Sequence, residues 1–231
     1  MGYINKIETL GFSDGPGLRV VVFLQGCTLR CIYCHNPETW KQNEGLKLTP
    51  DQLVEQILKY KNYFDKTGGV TFSGGEPLLQ NEFLLETLKL CKKNNIHTCL
   101  DTAGIGDNYQ EIIKYTDLIM FDIKGINSED YKYITGSNIE RSLLFLNECQ
   151  KQNKKLWIRY VIVPDFNDTK EYILKFKDYI SKIQYLEKVE FLPYHTLGLF
   201  KYKELGIPYR LKNTKSMDKE KCNEFLKILE L

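Results

Sequence analysis

The chain has 231 residues, 42% of them hydrophobic, which is enough to bury a core and suits one α/β domain better than two. Its 32 basic and 30 acidic side chains nearly balance, and no apolar run reaches the length of a membrane span. These properties exclude a disordered chain and a membrane-spanning protein, and they give no sign of a nucleic-acid partner.

Apolar, β-branched segments predict six strands, which in chain order are Leu18–Leu24, Gly69–Phe72, His97–Leu100, Leu118–Phe121, Leu156–Val163 and Val189–Leu192. Helical patterns lie between them at Thr49–Phe64, Glu82–Lys93, Tyr109–Tyr115, Ile139–Gln152 and Thr169–Gln184, with a last helix from about Met217. The first of these opens with a capping box at Thr49 and a proline at the first helical position. Strands alternating with helices of this length predict parallel pairing through crossover helices.

Residues with hydrogen-bonding, charged or metal-binding side chains follow nearly every predicted strand. In chain order they are Gln25-Gly26-Cys27, Ser73-Gly74-Gly75-Glu76-Pro77, Asp101-Thr102, Asp122-Ile123-Lys124, Pro164-Asp165 and Pro193-Tyr194-His195. An open doubly wound sheet would concentrate such residues at one switch point, whereas the strand ends of a barrel converge on one mouth. The pattern therefore favours a six-stranded parallel partial (β/α)6 barrel.

Three of the seven cysteines crowd into one short segment with the spacing C-x3-C-x2-C, at Cys27, Cys31 and Cys34. Three thiolates on one loop can hold three irons of a [4Fe–4S] cubane and leave the fourth iron as an open Lewis-acid position. The odd total fits a reduced compartment better than a disulfide framework. The other four cysteines, which lie among apolar neighbours, are predicted to pack in the core: Cys91, Cys99, Cys149 and Cys222.

Other chemistries share parts of this cysteine pattern. Cys31-x-x-Cys34-His35 matches a haem c attachment site, but that requires export, and the N-terminus shows no apolar signal segment, so we expect a cytoplasmic protein. A zinc site from the three cysteines and His35 is conceivable, although structural zinc usually uses two separated ligand pairs. A thioredoxin-like C-x-x-C would leave Cys27 without a role.

The cysteine segment resembles that of the radical S-adenosylmethionine (SAM) superfamily. The hallmark of that superfamily is C-x3-C-x2-C with an aromatic residue, here Tyr33, before the third cysteine. Further stretches resemble the subgroup that activates glycyl radical enzymes, in particular the activases of pyruvate formate-lyase. They are Ser13-Asp14-Gly15-Pro16-Gly17-Leu18-Arg19, Gln25-Gly26-Cys27, Tyr33–Trp40, Trp157–Pro164 and Leu192–His195. The resemblance extends over nearly the whole chain and implies one radical SAM domain over residues 1–231. It also implies a reduced [4Fe–4S] cluster on Cys27, Cys31 and Cys34 that cleaves SAM to a 5′-deoxyadenosyl radical.

The resemblance assigns SAM binding to Tyr33, His35, Asn36, Gly74, Gly75, Glu76, Asp122, Ile123, Lys124, Arg159 and His195. Several of these roles agree with elementary chemistry. The two glycines let the main chain approach a ligand, and the Glu76 carboxylate suits an ammonium group. Arg159 interrupts an apolar strand, where a guanidinium is costly to bury without an anion.

Asp101, Thr102 and Asp122 provide oxygen donors at adjacent strand ends, which suits a hard cation. The resemblance assigns these residues, with the carbonyl of Met120, to a monovalent cation (Na⁺ or K⁺) beside SAM; a general acid–base pair of carboxylates is the alternative. The family commonly has Asp-Thr-Asn-Gly at this point, whereas this chain has Asp101-Thr102-Ala103-Gly104, so alanine replaces the asparagine. Asp14 is placed near the incoming glycine-bearing peptide, with a plain turn residue as the alternative.

No cysteine lies between Cys34 and Gly74, which indicates the minimal single-cluster type of activase. The resemblance then implies pyruvate formate-lyase as the protein substrate, a flavodoxin- or ferredoxin-type electron donor, and a monomer. Two alternatives stay open: a radical SAM enzyme acting on a small molecule or on another glycyl radical enzyme, and a non-catalytic iron- or zinc-binding protein.

Overall fold

The computed structural model describes residues 1–229, and its eight strands lie in one sheet. The strands are β1 (Gly2–Gly11), β2 (Arg19–Leu24), β3 (Leu46–Leu48), β4 (Gly69–Gly74), β5 (His97–Thr102), β6 (Leu118–Ile123), β7 (Leu156–Ile162) and β8 (Leu186–Pro193). Their order across the sheet is β3-β1-β2-β4-β5-β6-β7-β8, and every neighbouring pair from β2 to β8 is parallel. Within residues 1–229 the sheet is open, because β3 and β8 form opposite edges.

The predicted partial-barrel type is confirmed, and its six parallel strands are β2 and β4 to β8. The predicted strand count was too low, because β1 and β3 add an antiparallel extension beside β2. Most residues of β1 are only partly buried, and β3 has three residues, so neither segment carries the continuous apolar run that marks a parallel strand.

Eight α-helices connect and cover the strands: α1 (Pro50–Leu58), α2 (Asn81–Lys93), α3 (Gln110–Tyr115), α4 (Ser128–Thr135), α5 (Glu140–Lys151), α6 (Lys170–Ile180), α7 (Leu199–Glu204) and α8 (Lys219–Leu229). Short 3₁₀ turns occupy Pro37–Thr39, Lys61–Tyr63 and Pro77–Gln80. No helix in this part of the chain combines the length and the apolar character needed to cross a bilayer.

The Thr49 capping box is present, with reciprocal hydrogen bonds between Thr49 and Gln52. The predicted end of that helix at Phe64 was wrong, because α1 stops at Leu58 and the 3₁₀ turn that follows buries no side chain. Helix α6 likewise ends at Ile180 rather than Gln184. Helices α4 and α7, of eight and six residues, were not predicted.

Side chains alternate between the two faces of each parallel strand, and this alternation separates core from cavity. Strand β7 shows it clearly, since Ile158 and Tyr160 are fully buried under the helices while Arg159 between them is partly exposed. On β6, Ile123 belongs to the same helix-covered core. Asp122, one residue earlier, therefore points to the inside of the curved sheet.

Candidate functional site

The carboxyl ends of the parallel strands and the loop after β2 enclose a cavity of about 500 Å³. That volume lies in the range of small-molecule sites. Nearly all of the predicted site residues line it: Asp14, Cys27, Cys31, Tyr33, Cys34, His35, Asn36, Gly74, Gly75, Glu76, Asp101, Thr102, Asp122, Lys124, Arg159 and His195. The side chains of Met120 and Ile123 do not reach it; Met120 packs with Cys99, Leu118 and Trp157, and Ile123 lies in the main core.

Cys27, Cys31 and Cys34 are free thiols at one side of this cavity. Burial raises the pKa of all three, to about 12 for Cys31, so without metal the thiols are protonated. Within residues 1–229, no group of three His, Cys, Asp or Glu side chains is arranged to hold a single metal ion. This donor set fits a cubane, in which each thiolate binds a different iron, better than a mononuclear zinc site.

The C-terminal part of the chain packs against the cysteine loop. The Tyr202 hydroxyl donates to the Cys34 carbonyl at 2.9 Å, and the Lys201 ammonium donates to Asn36 Oδ1 at 3.0 Å. The rings of His35 and His195 stack at a centroid distance of 3.9 Å, with 11° between their planes. Burial lowers the pKa of both histidines, so the stacked pair is neutral near pH 7 and offers a flat, uncharged wall.

A row of polar and charged side chains crosses the cavity, beginning with Ser73 on β4 and ending with Lys124 just after β6. Ser73 Oγ donates to Asp101 Oδ2 at 2.6 Å, and Arg159 NH1 lies 3.2 Å from the same oxygen. On the far side, Lys124 Nζ lies 2.9 Å from Asp122 Oδ2. Burial raises the pKa of Asp101 to about 6, although Arg159 opposes the shift; the Asp101 carboxylate in turn raises the pKa of Arg159.

Several buried polar atoms of this site make no hydrogen bond among the described residues: Tyr33 Oη, Asp101 Oδ1, Arg159 Nε, Arg159 NH1 (which has only the ion pair with Asp101) and His195 Nδ1. Buried polar groups are normally satisfied, so a set of unsatisfied ones around one cavity indicates a polar ligand. An amino-acid cosubstrate with a nucleoside, such as SAM, carries donors and acceptors that can satisfy them. The residues present therefore fit both the cluster and SAM.

The Glu76 carboxylate is buried and already hydrogen-bonded to neighbouring protein groups, which the sequence did not indicate. Glu76 is 2% exposed, and its carboxylate accepts hydrogen bonds from the Thr102 hydroxyl at 2.5 Å and the Ala103 amide at 3.0 Å. Burial raises the pKa of Glu76 to about 7 despite these bonds. Its carboxylate thus holds the ends of β4 and β5 together at the cavity wall.

The turn after β4 is packed on the turn that leads into the cysteine loop. The Gly75 amide donates to Leu24 O and the Glu76 amide donates to Gly26 O, both at 2.8 Å. A Cβ on Gly75 would lie 2.2 Å from Gly26 O, far inside van der Waals contact. Close approach of two main chains therefore explains why glycine occupies this position.

We expect Gly75→Ala to destabilise the fold by about 2 kcal/mol, because the turn before Cys27 must move, and to reduce the iron bound after reconstitution. Urea unfolding and iron content measure the two effects. Gly136→Ala is the matched control, since Gly136 has a φ of 73° but open space around it. That variant should lose about 1 kcal/mol through backbone strain alone and keep its iron. Equal iron loss in both variants would contradict the packing argument.

Nine other residues line the cavity and had no predicted role in it, although Ser73 and Pro193 belong to the predicted strand-end segments: Phe23, Leu29, Trp40, Ser73, Ala103, Val161, Leu192, Pro193 and Lys219. Phe23 lies in β2, whose six residues are all buried, so no alternation in that strand reveals which side chains face the ligand. Lys219 begins α8, and no sequence signal distinguishes it from the other lysines nearby.

Comparison with known proteins agrees with this site. The model of the radical SAM superfamily matches residues 21–177. The pyruvate formate-lyase-activating enzyme of Clostridium pasteurianum is 52% identical over 100% of this chain and 98% of its own length. That of Staphylococcus epidermidis is 45% identical over 96% and 93%. The chain therefore belongs to the radical SAM superfamily and, within it, to the family of the pyruvate formate-lyase-activating enzymes.

Solved structures agree on the fold. A domain of the pyruvate-formate lyase-activating enzyme from Bacteroides vulgatus superimposes with a TM-score of 0.57 at 24% identity, over 71% of this chain and 93% of that one. The superfamily uses a [4Fe–4S] cluster and SAM, the two groups that the cysteine loop and the unsatisfied polar atoms of the cavity fit.

Proposed function

We propose that this protein is a radical SAM activase that converts a glycine of pyruvate formate-lyase to a backbone glycyl radical. The observation that carries the proposal is that one cavity joins the three cysteine thiols to the strand-end charges and to Asp14. The full-length relatives named above support the choice of protein substrate. When bound, the cluster and SAM supply a 5′-deoxyadenosyl radical for hydrogen abstraction.

The residues of the cavity divide this work by position. The thiolates of Cys27, Cys31 and Cys34 would hold three irons of the cluster, and the fourth iron would be open to the amino and carboxylate groups of SAM. Lys124 and Arg159, two of the cations that line the cavity, would bind the SAM carboxylate, and their ion pairs with aspartates keep them aimed inward. The main chain at Gly74-Gly75 and the Glu76 carboxylate form the wall for the SAM ammonium group, with Asn36 nearby.

The adenosine part of SAM requires a flat partner and hydrogen-bond donors. The stacked rings of His35 and His195 offer a neutral face, and His195 Nδ1 is a buried atom without a partner among the described residues. The hydroxyl of Tyr33 and the main chain around Ile123 complete the SAM site in this proposal. Such neutral, pre-positioned groups bind a nucleoside without a large reorganisation cost.

A monovalent cation, Na⁺ or K⁺, belongs beside SAM in this proposal. Asp101 Oδ1 is a buried oxygen without a hydrogen-bond partner among residues 1–229, and Asp122 lies on the neighbouring strand. The Thr102 hydroxyl already donates to Glu76, so Thr102 would contribute its carbonyl, as would Met120. Arg159 neutralises part of the carboxylate charge, which favours a singly charged ion over a divalent one.

The first test is anaerobic. The protein is reconstituted with iron and sulfide, reduced by a flavodoxin- or ferredoxin-type donor as in the cytoplasm, and given SAM with or without pyruvate formate-lyase. We expect 5′-deoxyadenosine and a glycyl radical signal in electron paramagnetic resonance to appear together. Deoxyadenosine without the radical would contradict pyruvate formate-lyase as the substrate, and a cluster-loaded protein that forms neither would contradict the proposal as a whole.

We expect Asp14→Asn to keep SAM cleavage without a partner and to slow glycyl radical formation about a hundredfold. The reason is that the substrate glycine would no longer be held in position, and a misplaced reacting group lowers the rate by about that factor. Asp14 lines the cavity, and burial raises its pKa. The measurement is the ratio of glycyl radical to deoxyadenosine. Asp178→Asn, at an exposed position of α6, is the control and should behave as the unmodified protein. Equal loss of both products in Asp14→Asn would contradict its placement beside the glycine.

A further inference from the structure

Arg19, the first residue of β2, is completely buried. Every hydrogen-bond acceptor that the described residues offer it is neutral. Its Nε donates to Thr71 Oγ1 at 2.6 Å, and its two NH groups donate to carbonyls that include Pro16 O at 2.8 Å and Val70 O at 2.7 Å. His97 Nδ1 lies 3.2 Å from NH2. The guanidinium is therefore saturated by the main chain and a hydroxyl rather than by a carboxylate.

A buried cation of this kind is an expensive way to fill space. Burial lowers the pKa of Arg19, which reflects the cost of removing the charge from water. An apolar side chain of similar volume would avoid that cost. What the guanidinium provides, and an apolar residue cannot, is a planar fork that fixes several carbonyl groups in set directions.

The carbonyls fixed by this fork belong to the loop between β1 and β2. The Thr71 hydroxyl accepts from Arg19 Nε and donates to the Asp14 carbonyl at 2.5 Å, so Arg19 acts on Asp14 through Thr71. Arg19 NH1 holds the Pro16 carbonyl directly. Gly15 lies against the guanidinium, since a Cβ there would be 3.0 Å from Arg19 Cδ. The main chain is thus held on both sides of Gly15.

The side chain of Asp14 leaves this anchored segment and lines the cavity. Two residues earlier, Phe12 is 80% exposed, so the hold on the loop is confined to its second half. We propose that Arg19 and Thr71 are positioning residues, which fix the main chain at Asp14 so that its carboxylate faces the cavity where the substrate glycine reacts. The inference rests on the proposed function and deepens it.

Thr71→Val is the sharpest test, because it removes one hydroxyl and nearly preserves shape. We expect SAM cleavage without a partner to stay within about twofold of the unmodified protein. Glycyl radical formation should slow about tenfold, because the Asp14 carbonyl loses its hydrogen bond and Arg19 Nε loses its acceptor. Thr71→Ser keeps the hydroxyl and should restore the rate. Thr98→Val removes a hydroxyl on β5 that bonds Tyr115 O and Asp117 instead, so it controls for general destabilisation.

Chymotrypsin cleavage after the exposed Phe12, followed by mass spectrometry, reports on the anchor independently of catalysis. We expect Thr71→Val to be cut about tenfold faster than Thr98→Val or the unmodified protein. Equal cleavage of the two valine variants, or equal rates of radical formation in them, would overturn the inference. If the unmodified protein forms no glycyl radical on pyruvate formate-lyase, the proposed function fails, and the cleavage rates still decide whether Thr71 anchors the Asp14 loop.

Discussion

Replacing Cys31 with alanine is expected to leave a folded protein that retains almost no [4Fe–4S] cluster. The loop around it keeps its main-chain bonds, since the amides of Arg30 and Ile32 donate to the carbonyls of Thr135 and Ile134 at 2.9 Å. A cubane held by only two thiolates loses a third of its protein ligands, and the lost bond energy is large compared with a side-chain contact. Iron and sulfide per chain and the visible absorption of the cluster measure the loss.

We expect deoxyadenosine formation to fall in the same variant by at least about a hundredfold, because the cluster to which SAM would bind is no longer held in place. Cys91→Ala is the matched control, since Cys91 is a fully buried thiol on α2, away from the cavity. It should lose stability through the small void and keep its iron. Normal iron content and normal SAM cleavage in Cys31→Ala would sink the cluster assignment.

Replacing Arg159 with methionine is expected to destabilise the fold by about 3 kcal/mol near neutral pH, because it leaves the largely buried Asp101 carboxylate without its cation. Arg159 NH1 lies 3.2 Å from Asp101 Oδ2, and Nε lies 4.0 Å from Asp122 Oδ1. The Asp101 side chain is 11% exposed and that of Asp122 is 21% exposed, and Asp122 keeps its ion pair with Lys124 in the variant. Arg141→Met is the control, since Arg141 pairs with Asp107 at the surface, where ion pairs contribute about 1 kcal/mol or less.

The pH dependence of this variant has a definite sign. The pKa of Asp101 rises from 3.8 to about 6 on folding, so its carboxyl favours the folded state below pH 3.8 and loses that advantage as the pH rises through about 6. Without Arg159 the same pKa rises further. The deficit of Arg159→Met should therefore be smaller at about pH 5 than at about pH 8 in urea unfolding. A deficit that grows on acidification would contradict the ion pair as its cause.

The parallel part of the fold could be predicted because a strand that is buried on both faces requires a continuous run of apolar residues. All six residues of β2 are buried, and such a segment has few other interpretations. Strand β1 is an antiparallel strand in which Asn5 and Lys6 lie at half-buried positions and Glu8 is exposed. Its pairing depends on residues far along the chain, which a local pattern does not contain.

The candidate site was predictable where chemistry and strand ends coincide. Asp101 and Asp122 follow apolar runs, and parallel strands bring their ends together whatever the loops do. The stack of His35 on His195 joins residues at opposite ends of the chain, and no spacing rule connects them. The sequence predicted no separate role for Arg19 beyond its place in the segment Ser13–Arg19, since an arginine at the start of a strand is usually exposed.

The contacts between the cysteine loop and the C-terminal part of the chain also bear on the order of synthesis. The ribosome releases the loop at residues 27–34 first, whereas His195, Lys201 and Tyr202, which close one side of it, emerge 160 residues or more after their partners in and beside the loop. Pairings this distant form late in folding. In the growing chain the three thiols therefore stay open to solvent, and the wall around them is completed only after that later segment has been synthesised.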